Sequence, residues 1–142
     1  MKILFKRCRE GAVIPTYANP GDAGMDICSC ESAMINPGQR KLVQTGLKIQ
    51  LPEDTEAQIR PRSGLAIKNG ITLLNTPGTI DAGYRGELGI IIINLGQEPF
   101  EIKPGMRIAQ MVIAPVLRVE SEEVDALSET ARGEGGFGSS GS

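Results

Sequence analysis

The chain has no histidine and no tryptophan, only three cysteines, and no apolar run long enough to cross a membrane. The missing histidine excludes the most. A Ser-His-Asp triad, a Cys-His pair, a histidine general base and a histidine metal ligand all need an imidazole. Any chemistry must use carboxylates, hydroxyls, arginines, backbone amides or an ion carried in with the substrate. Cys8, Cys28 and Cys30 form no C-x-x-C and are odd in number, which argues against a disulfide framework. They are expected as buried or half-buried thiols, with Cys28 and Cys30 on one face of a strand. The apolar part of Met1–Arg7 is too short for a secretory signal, so the expected compartment is the cytoplasm. With 15 Lys+Arg against 17 Asp+Glu, the balance argues against a strongly basic nucleic-acid surface.

What is present is a β pattern. A length of 142 residues predicts one domain that can bury a core without a disulfide or metal staple. Leu47, Ile49 and Leu51 alternate with Lys48 and Gln50, and Ala57–Arg60 does the same. Short apolar stretches are separated by Gly, Pro, Asn and Asp, and 18 Gly with 9 Pro leave little room for a long helix. Regularly spaced short strands predict an all-β sandwich or barrel. Leu88–Leu95 is apolar on both faces, which predicts a central strand covered on both sides, one cover being available from another subunit. One helix of about two turns is expected over 63–70, with Ser63 as N-cap and Gly70 as the stop. Asn75–Gly78 and Asp81–Tyr84 read as turns around an extended Thr79-Ile80, a hairpin or a looped-out segment before the Ile strand. The expected core is 1–120, followed over 121–142 by an acidic linker and a Gly/Ser-rich tail. Such a tail buries too little to fold alone and reads as a linker remnant. Arg132 and Phe137, set among glycines, instead suit a segment that closes over a ligand.

Four polar segments interrupt the β pattern, and the tail makes a fifth. Arg62, Ser63 and Gly64 could bind an anion, through a guanidinium fork, a hydroxyl and free amides at a helix start. Any helix start offers as much, so the segment alone is weak. Arg132 is a second phosphate candidate. Asp81 is a carboxylate in a tight turn near Tyr84, although such aspartates commonly cap their own backbone. Asp26 reads as an anchor for a neighbouring arginine.

Taken in order, the five segments are A-G-x-D (Ala23–Asp26), P-R-S-G (Pro61–Gly64), G-x-I-D-x-x-Y-R-G-E (Gly78–Glu87), R-x-A-Q (Arg107–Gln110) and R-G-x-G-G-F-G-S-x-G (Arg132–Gly141). Their order, content and spacing resemble the five motifs of the trimeric dUTPase family, and the resemblance runs almost end to end. Ile27 stands where leucine is common and Ser140 where threonine is common; neither removes a functional group. The resemblance implies an all-β, jelly-roll-like fold with one short helix and a flexible C-terminal tail. It also implies hydrolysis of dUTP to dUMP and pyrophosphate with Mg²⁺, in a homotrimer whose active sites are shared between subunits.

By the same resemblance, Asp81 orients and deprotonates the attacking water, and Ser63 and Gly64 hold the phosphate chain near the bond that breaks. Gln110 adds a phosphate contact, and Arg62 is placed by Asp26. The Mg²⁺ rides on phosphate oxygens and waters with no direct protein ligand, Asp26 reaching it through water. Asn75, Gly78, Thr79 and Ile80 recognise the uracil edge, and the Tyr84 ring lies against the deoxyribose. Phe137 stacks on the base, Arg132 meets the γ-phosphate, and Gly138 and Ser139 complete the closure. Two other readings fit the same core: a dCTP deaminase, and a nucleotide-sensing module without turnover. The Tyr84-Arg85-Gly86 context and the tail favour the hydrolase over the first, and a full set of catalytic candidates favours it over the second.

Overall fold

The computed structural model describes residues 1–141. The chain runs through β1 (Leu4–Arg7), β2 (Gly24–Cys28), β3 (Ala33–Ile35), β4 (Arg40–Gln44), β5 (Leu47–Gln50) and β6 (Thr55–Arg60). A helix α1 (Ser63–Asn69) follows, then β7 (Ile71–Leu73), β8 (Gly78–Asp81), β9 (Gly89–Asn94), β10 (Phe100–Ile102) and β11 (Arg107–Pro115). All pairings are antiparallel. They form a four-stranded sheet β2-β11-β6-β8, a three-stranded sheet β4-β9-β7, and the pairs β1-β5 and β10-β3. This is the expected all-β, jelly-roll-like arrangement with one short helix, open rather than closed into a barrel.

Alternation decides which faces meet. Met25 and Ile27 of β2, Ala57 and Ile59 of β6, and Ile108, Ala109 and Met111 of β11 are buried on the core side. From the other sheet come Val43, Ile71, Leu73, Ile90 and Ile92. Each fully buried Ile or Leu contributes roughly 1.5–3 kcal/mol, against about 0–1 kcal/mol for an exposed ion pair. Stability therefore resides in this core, and the charged residues on the rim are free to serve other ends. The buried polar side chains are satisfied. Asn94 donates to the carbonyls of Ile35 and Glu98 and accepts from Gly96 N–H, which ties the end of β9 to its neighbours.

Strand β9 is central, between β4 and β7, as expected, and within the chain only one of its faces is covered, the second cover having been left to another subunit. Ile90 and Ile92 are buried, whereas Ile91 and Ile93 are half-buried and Leu42, the cross-strand partner of Ile91, is exposed. A single chain has no third layer to lay over them. The piece 78–81 does not form its own hairpin, because β8 leaves the sheet of β7 and pairs with β6. Ser63 is not the N-cap; it is the first helical residue. Arg62 holds the extended cap position, with no side-chain cap bond, and Gly70 ends the helix in the left-handed region (φ 67°) as expected. Among the thiols, Cys28 and Cys30 are half-buried, but Cys8 is exposed, and all three are free. No helix is long and apolar enough to cross a membrane among the described residues.

Candidate active site

Alternation along β2 turns Met25 and Ile27 inward and leaves Asp26 on the opposite face, about a quarter exposed. Each of its oxygens meets one arginine. Arg62 Nε lies 3.2 Å from Oδ1 and Arg107 Nε lies 3.7 Å from Oδ2. Arg62 also donates to the carbonyl of Arg107 (3.4 Å). Pairs this exposed add little to stability, so the shared carboxylate chiefly sets where the two guanidinium groups point. Two cations on one anion leave a net positive rim beside the Ser63 hydroxyl and the first-turn amides of α1. A phosphate chain is the ligand that such a rim suits.

Gln110 sits between these elements, the Cα partner of Asp26 on one side and of Arg60 on the other. Its amide donates to the Pro61 carbonyl (2.9 Å), so it fixes the turn that carries Arg62 and Ser63. A cavity of about 300 Å³ opens beside the cluster, lined in part by Asp26, Cys28 and Arg107. Burial raises the pKa of the Cys28 thiol, Arg107 opposes that rise, and Asp26 adds to it. The thiol lines the cavity and carries less thiolate than a solvated one.

The second group lies at the sheet edge. Asp81 ends β8 opposite Glu56 of β6. Its backbone carbonyl accepts from Tyr84 N–H (3.1 Å), closing the expected turn. Its carboxylate, however, has no hydrogen-bond or ion-pair partner among the described residues, so it does not cap its own backbone. The Tyr84 hydroxyl donates to the Glu87 carbonyl (3.0 Å). Arg85 donates back to the carbonyls of Ala82 and Tyr84. Glu87 closes the loop: its carboxylate accepts from Gly46 N–H (3.0 Å) and from Arg9 Nε (2.7 Å), and this bond and charge raise the Arg9 pKa. Asn75 packs within 3.4 Å of the position a Gly78 side chain would take, beside exposed Thr79 and half-buried Ile80.

These groups lie apart along β6. Asp81 is level with Glu56, while the Pro61–Gly64 turn begins beyond Arg60, roughly 13 Å further along β6. The tail is a third separate group. Among the described residues, every hydrogen bond of 132–141 is internal or reaches Thr130, and Arg132 Nε is given to the Gly135 carbonyl. Phe137 is fully exposed, and Gly138 and Ser139 line a surface hollow made of tail residues alone. Within one protomer the tail therefore makes no bond to Ser63, Asp81 or Tyr84. The sequence reading gave no role to Arg107, Arg9 or Glu87. Arg107 and Glu87 stand inside the quoted motifs, which was their signal; Arg9 gave none, because its partner is 78 residues away.

The dUTPase family model matches residues 10–141. The deoxyuridine 5'-triphosphate nucleotidohydrolase of Clostridium novyi is 64% identical over 141 residues, covering 99% of both chains. That of Crocosphaera subtropica is 59% identical with the same coverage. Among solved structures, a Staphylococcus bacteriophage 80alpha dUTPase with dUpNHpp superposes with a TM-score of 0.93 at 30% identity, covering 99% of both chains. A mutant dUTPase from phage phi11 of S. aureus, described with a structural Mg(II) ion, gives 0.83 at 26% identity over 89% of this chain and 98% of that one. With a family match across nearly the whole length, and with the motif residues placed where charge and turns require them, the chain belongs to the dUTPase family.

Proposed function

We propose that the chain hydrolyses dUTP to dUMP and pyrophosphate by attack of water on the α-phosphorus, with Asp81 as the general base. The observation that carries this reading is the Asp81 carboxylate, partnerless at a strand end in a chain without histidine. A base must be free to take a proton, and a capping or paired carboxylate is not. Ser63 and Gly64, with Arg62 and Arg107 aimed by Asp26, grip the phosphates and neutralise charge on the leaving pyrophosphate. Asn75 and Gly78, Thr79 and Ile80 meet the uracil edge. Tyr84 lies against the deoxyribose and leaves no room for a 2′-OH. Phe137 stacks on the base, with Arg132, Gly138 and Ser139 closing on the phosphates. Gln110 acts first by holding the Pro61 turn.

Magnesium fits as part of the substrate. Within one chain, no three acidic or cysteine side chains converge among the described residues. A small hard cation on a triphosphate needs no such cluster, and Asp26 is the carboxylate placed to meet its water shell. Bound there, Mg²⁺ would neutralise phosphate charge. The separation of Asp81 from Ser63 supports a homotrimer in which each site takes the base loop and the phosphate grip from different subunits. The half-covered Ile91–Ile93 face supports the same assembly. The proposed compartment is the cytoplasm, where the activity keeps uracil out of DNA and supplies dUMP for dTTP synthesis.

Pyrophosphate release from dUTP, dCTP, dTTP and UTP tests the reading. Turnover of dUTP alone is expected, with Asp81→Asn lowering kcat by about a hundredfold or more while the fold is kept. Ammonia release from dCTP, or saturable dUTP binding without pyrophosphate, would overturn it.

A further inference from the structure

Gly86 has an ordinary backbone conformation: it is not among the glycines with positive φ, so its peptide geometry is open to any L residue. The reason for a glycine there lies in its neighbour. A Cβ built on Gly86 would fall 2.5 Å from Tyr84 Cζ and 2.8 Å from Cε1, and closer still to the hydroxyl oxygen. No backbone atom is among its three nearest contacts; all belong to the Tyr84 ring and hydroxyl. The phenol is laid directly over the bare Gly86 backbone. Its hydroxyl is held by the Glu87 carbonyl, and Glu87 is in turn pinned by Gly46 N–H and Arg9.

We propose that Gly86 is a specificity-positioning residue: its missing side chain is the seat that holds Tyr84 in the orientation that rejects a ribose 2′-OH. The inference rests on the reading of Tyr84 as the sugar contact. Gly86 itself touches no substrate; it acts through the ring. The Glu87–Arg9 pair and the Gly46 N–H anchor the seat to the connection between β4 and β5. A methyl group at 86 pushes the exposed phenol aside rather than the backbone, so the fold is kept and only the ring's position is lost. Selectivity then falls while binding of the deoxynucleotide survives.

Equilibrium binding of the imido analogues dUpNHpp and UpNHpp, both with Mg²⁺, tests this without needing turnover. Gly86→Ala is expected to lower the preference for the deoxy form by about tenfold, with an unchanged melting temperature. In a Tyr84→Ala background the same substitution is expected to change the preference no further, as a double-mutant cycle requires of two residues acting as one. Three results would overturn the proposal: a wild-type preference in Gly86→Ala, an equal loss in both backgrounds, or a Gly86→Ala chain that does not fold. Pyrophosphate release by the wild type is measured separately. Its absence would refute the catalytic reading, while the analogue preferences still decide the role of Gly86.

Discussion

Asp26 divides one carboxylate between Arg62 and Arg107, and that division explains why two arginines can stand side by side at the rim. The same neighbourhood sets the behaviour of Cys28. Burial raises its pKa, as it does that of Cys30, so at a given pH each carries less thiolate than a solvated thiol. Cys8 is exposed. Iodoacetamide at about pH 8 is therefore expected to label Cys8 first, with Cys28 and Cys30 roughly tenfold slower until the chain is unfolded. Rates at the two slow sites should climb further as the pH rises above the ordinary thiol range. Peptide mass spectrometry over a time course checks this, and equal labelling of all three would contradict it. At this scale the sequence was readable where a residue's role is set by its neighbours along the chain. It revealed Asp26 as an arginine anchor and left Arg9 unread, since nothing near Arg9 points to Glu87.

The elements were legible to the extent that alternation decides them. Leu47–Leu51 and Ala57–Arg60 declared β5 and β6 through period 2, and Gly70 declared the end of α1. By pattern alone Ser63 stands just before a helical run, which is where a cap is expected. Arg62, held by Asp26 from another strand, takes that position instead, a tertiary effect that no local pattern carries. The destination of β8 was hidden for the same reason: its partner β6 lies earlier in the chain, beyond α1 and β7. The tail is an element of a different kind, with hydrogen bonds among the described residues only to itself and Thr130. Ending the chain after Thr130 is expected to leave the melting temperature unchanged, because no core bond is lost. It is expected to lower kcat/KM for dUTP by about tenfold or more, because the closing segment is gone. Near-wild-type kinetics in the shortened protein would remove the tail from the mechanism. Phe137→Ala should reproduce much of the loss.

On the scale of the whole molecule, the composition marked out a single β domain, and the five motifs marked its chemistry. Neither gave the spacing between motifs in the folded chain. Asp81 and the Pro61–Gly64 turn sit at different ends of β6, which is the spacing the proposed shared site builds on. The proposed trimer makes a direct prediction. Asp81→Asn and Arg62→Ala, each nearly inactive alone, should regain activity when unfolded together and refolded as a mixture. An intact Asp81 from one chain then meets an intact Arg62 from another. Light scattering should give the mass of three chains for both parents and for the mixture. A mixture no more active than its parents would place the whole site within one chain. The distance along β6 also has a genetic meaning. Two defective alleles of this one gene, one damaged at the base and one at the phosphate grip, would rescue each other in the same cell. Two alleles damaged at the same end would not.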